Sequence, residues 1–333
     1  MHIDTPYLMF LGDAPDQLAA KTAFGVAYWR PEICVGQLRL DGCKADVGLP
    51  DMTLAEGVAA GARTLIVGVV NQGGVFGELW STTLHAAVEM GMSIASGLHA
   101  SLGEIPGLAE AAAAKGVQLL DVRHPTQSFQ TGKGHKRSGK RLLTVGTDVS
   151  VGKMFTSLSL ERELRGRGIK ADFRATGQTG IFIAGEGVSV DAVVSDFISG
   201  ATEWLCPDND PDHWDIVEGQ GSLFHAAYAG VTLGLLHGAQ PDAIVLCHAP
   251  GRPHMRGTPS IQTPSLTATM EANLSAGRLT NPDIRCIGVS INTSGLSEEE
   301  GARILQEATA ETGLPAVDPV KTGVAPLADA LLA

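Results

Sequence analysis

Short apolar runs that end in glycine or polar residues alternate along this chain with stretches whose apolar residues recur at helical spacing. In the first third, YLMFL (7–11), TLIVGVV (64–70), MSIAS (92–96) and VQLLDV (117–122) are of strand length, and 64–70 runs into Asn71-Gln72-Gly73-Gly74. Between them, 54–62, 79–90 and 108–115 carry helical spacing. The pattern resumes with strands at 142–145, 170–175, 213–217, 243–248 and 286–291. Helices are predicted at 154–167, 188–198, 223–236 (interrupted near Gly230), 298–312 and 327–332, with 176–180 as a turn. Strand–helix alternation of this kind predicts parallel sheets flanked by helices.

Between the two series lies HPTQSFQTGKGHKRSGK (124–140), where apolar content falls, Pro125 interrupts regular structure and Lys133, Lys136, Arg137 and Lys140 cluster. It divides the chain into a Rossmann-like N-terminal domain (1–123), a basic linker (124–140) and a second parallel-sheet domain (141–333). The linker reads either as a solvated connection or as a basic loop close to the site that follows it.

That site is LLTVGTDVSVGKMFT (142–156). An apolar strand turns through Gly146 and Gly152 to Lys153 and enters a helix, the context that a phosphate-binding P-loop requires. Glycines let the backbone wrap closely. The free N–H groups of the helix start then converge on one point, and the helix dipole favours an anion there. Two features depart from the common P-loop. Five residues rather than four separate the glycines, and Met154 replaces the hydroxyl that normally holds Mg²⁺. The expected fold class is therefore α/β, a Rossmann-like domain followed by a P-loop NTPase-like domain.

At 333 residues, two domains are expected. A formal charge of −12 argues against nucleic acid or an anionic membrane as a partner, but not against small anions. The five cysteines, Cys34, Cys43, Cys206, Cys247 and Cys286, form no CxxC pair and read as reduced thiols of a cytoplasmic protein. The first residues lack the basic and apolar regions of a signal peptide, and no run reaches the ~18 apolar residues of a membrane span.

In a parallel sheet, ligands bind at the strand C-termini. Arg174, Glu218, His248 and Asn292 fall there, beside the P-loop. Glu218, in IVEGQGSL, is the first candidate for a base; Asp196 follows, and His225 and His248 are further candidates because histidine titrates near neutrality. Arg174 and Arg252 suit carboxylates through charge-assisted pairs. His213, His248 and His254 lack zinc-motif spacing, so no structural or tightly bound metal is expected.

GTDVSVGKM, FRATGQTG, VEGQGSLFH and VSINTSG together resemble the P-loop proteins related to dethiobiotin synthetase. More closely, they resemble the D-glutamate N-acetyltransferases of DgcN type, which place a Rossmann-like domain before a P-loop domain. Two positions differ from dethiobiotin synthetase: its Lys-Pro after the second strand is Arg174-Ala175 here, and its loop hydroxyl is Met154. The resemblance implies transfer of an acetyl group from acetyl-CoA to the amino group of an acidic amino acid, D-glutamate, by a homodimer or higher homo-oligomer. Acetyl-CoA would be a co-substrate, its phosphates held by Gly146, Thr147, Asp148, Ser150, Val151, Gly152, Lys153 and Met154. Glu218, Asp196 or His225 would act as base, with Arg174, Arg252 and Asn292 on the substrate. An ATP-dependent ligase or kinase of the dethiobiotin synthetase type and a nucleotide-binding regulatory protein stay open as alternatives; Met154 speaks against both.

Overall fold

The computed structural model describes residues 2–69, 76–125 and 127–333. The chain forms two compact units: Met1–Gln127 with Gly177–Ala192, and Ser128–Thr176 with Val193–Ala333.

The first unit contains β1 (Tyr7–Gly12), α1 (Lys21–Trp29), β2 (Cys34–Arg39), α2 (Leu54–Ala59), β3 (Thr64–Val67), α3 (Glu78–Glu89), β4 (Ser93–Ser96), α4 (Leu108–Lys115) and β5 (Leu119–Asp121). Its strands form a parallel sheet in the order β2-β1-β3-β4-β5. β1, fully buried, has a partner on each side, which is why it reads as a continuous apolar run. α2 starts at a capping box, Thr53 with Glu56. The strand read at 64–70 ends at Val67, and Gly68 beyond it packs on Ala23, whose Cβ lies 2.4 Å from where a Cβ at 68 would stand. The expected end of that strand, Asn71-Gln72-Gly73-Gly74, lies outside the described residues.

The second unit contains β6 (Lys140–Gly146), α5 (Lys153–Gly166) and β7 (Ala171–Arg174). The chain then gives α6 (Gln178–Ala184) to the first unit, where Gly185 accepts a hydrogen bond from the Ile3 amide and Ile183 one from Arg30. The segment read as a turn at 176–180 therefore includes the first turn of a helix. Back in the second unit follow α7 (Ile198–Leu205), β8 (Trp214–Val217), α8 (Ala229–Ala239), β9 (Ala243–His248), and the hairpin of β10 (His254–Met255) and β11 (Thr258–Gln262). α9 (Leu266–Gly277), β12 (Arg285–Ile291), α10 (Glu298–Thr312), β13 (Ala316–Val317) and α11 (Ala325–Leu332) complete it. The sheet runs β13-β12-β9-β6-β8-β7, parallel throughout. α5 packs beside α11 over a core of Leu142, Leu160, Leu164, Ile216, Val245, Ile287 and Leu327.

Three expectations change. The helix at 188–198 is instead two short 3₁₀ turns, Val190–Ala192 and Ser195–Phe197, which separate Asp191 from Asp196 across the boundary of the units. The helix at 223–236 begins later, at Ala229, because 222–228 forms turns around His225. The basic segment does not approach the phosphate loop. Lys136 pairs with Asp242, Arg137 donates to the Gly238 and Ala239 carbonyls, and Lys140 opens β6, so these residues gather at the N-terminal edge of the sheet.

Candidate active site

The loop between β6 and α5 folds over Gly146. A Cβ at Gly146 would lie 2.9 Å from the Asp148 carbonyl and 3.1 Å from Lys153 Nζ. Two residues bend the chain into the left-handed region: Gly152, at φ +100°, and Ser150, at +53°. Ser150 is a non-glycine residue in a strained conformation, of the kind that clusters at ligand sites. Gly152 supplies no side chain to cap α5, so its first amides remain available to an anion.

Lys153 is buried, and its Nζ donates to the Asp148 carbonyl at 3.0 Å. Burial, aided by the charge of Arg252, draws its pKa down to about 8, against the opposing pull of Cys247, Asp148 and Glu218. Asp148 braces the loop: its carboxylate accepts from the Val149 and Arg256 amides at 2.7 and 2.9 Å. Arg252 does likewise, donating to the Val149 and Ser150 carbonyls at 2.9 and 3.1 Å. Its guanidinium thus lies on the loop, partly exposed, rather than standing apart as a carboxylate clamp. Val151 anchors the loop in an apolar cluster with Cys247 and Ala249. Met154 is half-buried at the first turn of α5. The next hydroxyl along, Thr156, is committed to the Gly152 carbonyl and to Ser290.

The strand ends bring further groups to this edge. Gly146 pairs with Cys247, and Ile291 with His248, so the loop, His248 and Asn292 follow one another across β6, β9 and β12. Thr147 Oγ1 and His248 Nδ1 are 2.9 Å apart. Burial lowers the His248 pKa, with Arg252 adding to that effect and Glu311 opposing it. Asn292 closes a turn by accepting from the Ser294 amide at 3.0 Å, and its Cβ lies near Gly152. Glu218 is buried, with Oε2 accepting from the Thr176 amide at 3.0 Å. Gly219 follows it: a Cβ there would stand 1.7 Å from the Thr144 carbonyl, so only glycine lets β8 leave the sheet here.

Of the other predicted residues, Arg174 and Asp196 lie apart from this group, and His225 lies beside the loop but is bound to backbone groups. Arg174 ends β7, but its guanidinium turns back to Asp215, with Nε and Nη2 both 2.7 Å from Oδ1. Asp215 is almost fully buried and holds the charge that was expected to grip substrate. Asp196 stands exposed on its 3₁₀ turn, and none of its described hydrogen bonds ties it to the loop. His225 is buried with both ring nitrogens engaged: Nδ1 accepts from the Ala227 amide at 3.2 Å, and Nε2 lies 2.9 Å from the Arg256 carbonyl. That arrangement fixes a neutral tautomer and leaves no lone pair for a substrate proton.

Sequence reasoning overlooked Asp318. It follows β13, a strand of two residues that carries no readable period. Its Oδ2 accepts from the Thr293 amide and hydroxyl at 2.9 and 2.6 Å, fixing the turn after β12. Burial would raise its pKa, but bonds from Thr293, Lys321 and Val320 outweigh that and hold it below the usual carboxylate value. Among the described residues, no three His, Cys, Asp or Glu side chains are grouped as a metal would require. No described helix is long and apolar enough to cross a membrane.

Residues 128–328 match the family described as "Domain of unknown function (DUF1611_C) P-loop domain". Residues 38–125 match its companion, "Domain of unknown function (DUF1611_N) Rossmann-like domain". The chain belongs to the DUF1611 family. A crystal structure of a DUF1611 family protein from Anabaena variabilis has a TM-score of 0.88 with 29% identity, covering 99% of each chain. The family's two parts, Rossmann-like and P-loop, are the α/β fold seen in the two units. Two curated relatives span nearly the whole length. One from Tritonibacter scottomollicae is 54% identical over 331 residues, 99% of each chain. One from a Pseudoalteromonas species is 52% identical over 324 residues, 97% of this chain and 98% of the relative. Each is named D-glutamate N-acetyltransferase.

Proposed function

We propose that this protein is a D-glutamate N-acetyltransferase that draws its acetyl group from acetyl-CoA. The observation that carries the reading is the 54% identity, over 99% of both chains, to a relative named D-glutamate N-acetyltransferase. The loop geometry supports the choice of donor. It keeps a glycine-lined cradle, uncapped amides and a buried lysine, which suit the phosphates of coenzyme A. It lacks the hydroxyl through which Mg²⁺-nucleotide chemistry usually proceeds, Met154 standing in its place.

Acyl transfer then requires an anchored thioester, a base for the substrate ammonium and donors toward the developing oxyanion. Lys153 and the loop amides would hold the phosphates; Arg252 would keep the loop in shape through its two carbonyl bonds. The proposal includes a reducing, cytoplasmic setting, which five free thiols suit, and a homo-oligomer, to be tested by mass photometry.

The direct test incubates the purified protein with acetyl-CoA and D- or L-glutamate, and follows free thiol together with product mass. N-acetyl-D-glutamate and one equivalent of thiol are expected. Absence of product with acetyl-CoA, alongside phosphate release from ATP-Mg²⁺, would transfer the assignment to the nucleotide-dependent class.

A further inference from the structure

We infer that His248 is the general base of the acetyl transfer and that Thr147 holds it in the working tautomer, an assignment that rests on the function proposed above. His248 ends β9, the strand adjacent to the one that leads into the phosphate loop, and so stands at the ligand edge of the sheet. One ring nitrogen, Nδ1, is 2.9 Å from Thr147 Oγ1, inside the loop itself. Nε2 takes no hydrogen-bond partner among the described residues. With Nδ1–H donating to Thr147, Nε2 carries the lone pair, the arrangement of a histidine base oriented by a neighbour.

Each competing base is either committed or set apart from the loop. His225 uses both nitrogens on backbone groups. The Glu218 carboxylate is buried, accepts the Thr176 amide and pulls on the charge of Lys153. Asp196 is exposed, with no described bond toward the loop. His248 combines an oriented ring with an uncommitted nitrogen. The charged groups that act on it are Arg252, from the segment after β9, which disfavours the imidazolium, and Glu311 of α10, which favours it; burial tips the balance to the neutral ring. A neutral ring at pH 7 is the form that accepts a proton.

The step balances. The substrate α-ammonium gives one proton to Nε2. The amine lone pair forms a C–N bond with the thioester carbon, and the C–S bond breaks with its electron pair on sulfur. The imidazolium returns its proton to the thiolate, and the second proton on nitrogen passes to water. Ammonium and thioester become amide, thiol and one released proton.

The test is His248→Asn, whose amide can still reach Thr147 while nothing replaces Nε2. Expected are a fall in kcat of about 10²–10⁴-fold, an acetyl-CoA Kd within about threefold of wild type, and loss of the acidic limb from the pH–rate profile. Thr147→Val should lower kcat less and displace that limb, and Thr147→Ser should restore it. Should His248→Asn fail to fold, the Thr147 pair decides: a limb unmoved in Thr147→Val overturns the proposal. Near-normal turnover with an intact limb in His248→Asn overturns it too while leaving the acetyltransferase standing. A wild-type protein that makes no N-acetyl-D-glutamate from acetyl-CoA removes both together.

Discussion

The two edges of the second unit's sheet carry the same kinds of side chain and use them in opposite ways. At the N-terminal edge, cations and carboxylates neutralise one another. Asp215 sits between Arg174 at 2.7 Å and His213 at 3.4 Å, and His213 also lies 3.4 Å from Asp172. Arg141, fully buried, donates to the Ser138 and Arg137 carbonyls. At the C-terminal edge, Lys153, Arg252 and His248 bond chiefly to loop carbonyls and a hydroxyl, and a close carboxylate, Asp148, lies 3.5 Å from Arg252 while also accepting two backbone amides, so charge there is spent mainly on shaping the loop. Arg174 teaches the rule. Its backbone belongs to the ligand edge, its charge to the other, because a buried carboxylate two residues back on the neighbouring strand outcompetes solvent for it. An arginine's place on a strand does not decide its role; the nearest desolvated carboxylate does.

This contrast breaks most sharply at Asp215. Asp215→Ala leaves the partly buried Arg174 with only Asp172, 3.8 Å away, and should cost about 3 kcal/mol of stability, read by urea unfolding. The acetyl-CoA Kd should hardly change, because the ligand edge is untouched; a large loss of affinity with intact stability would reverse the roles of the two edges. Next comes Gly219, where a Cβ would meet the Thr144 backbone at 1.7 Å. Gly219→Ala should cost about 3 kcal/mol. Gly230→Ala, in open space near the start of α8, should be neutral or stabilising by up to about 1 kcal/mol. Equal effects at both positions would remove close strand packing as the reason for glycine at 219. Smaller still is Arg252→Gln, which deletes two bonds to loop carbonyls and the 3.5 Å pair with Asp148, whose carboxylate keeps its two backbone amides. The acetyl-CoA KM should rise by roughly tenfold, or about 1.4 kcal/mol, with the melting temperature lowered only slightly.

The pH behaviour sharpens the same contrast. Lys153 loses its proton near pH 8 in the folded protein, against 10.5 for the ordinary side chain. Between those values the unfolded chain binds more protons, so this group adds to stability as pH rises through the window. Anion binding moves the other way. Acetyl-CoA affinity should weaken above about pH 8, as the charge is lost, by up to about tenfold per pH unit, and titration calorimetry at a series of pH values would show it.

The phosphate loop was legible because strand, glycines, lysine and helix are contiguous in sequence, and central strands such as β1, β6 and β9 because they are buried on both faces and read as apolar runs; β2, partly exposed, and the short β10, β11 and β13 carried no such signal. α6 was not, since its residues leave one unit to pack in the other, a long-range event without local signature. The helix expected at 188–198 failed for the same reason, the chain crossing back between the units there. Strand ends located Glu218, His248 and Asn292 at the C-terminal edge of the sheet, where the structure has them. The commitments of Arg174 and His225 were invisible, because Asp215 is 41 residues from Arg174 and the Arg256 carbonyl 31 from His225. Sequence gives the place of a polar group; only the fold gives its partner.

On the proposed function, this loop holds the phosphates of an acetyl donor. Isothermal titration of wild type and Lys153→Ala with acetyl-CoA, and separately with ATP-Mg²⁺, tests it most directly. Acetyl-CoA should bind the wild type, and the substitution should weaken it by about 1.5–3 kcal/mol, roughly 10- to 150-fold, with the fold intact by circular dichroism. Tight binding of ATP-Mg²⁺ alone, or an acetyl-CoA affinity indifferent to Lys153, would contradict it.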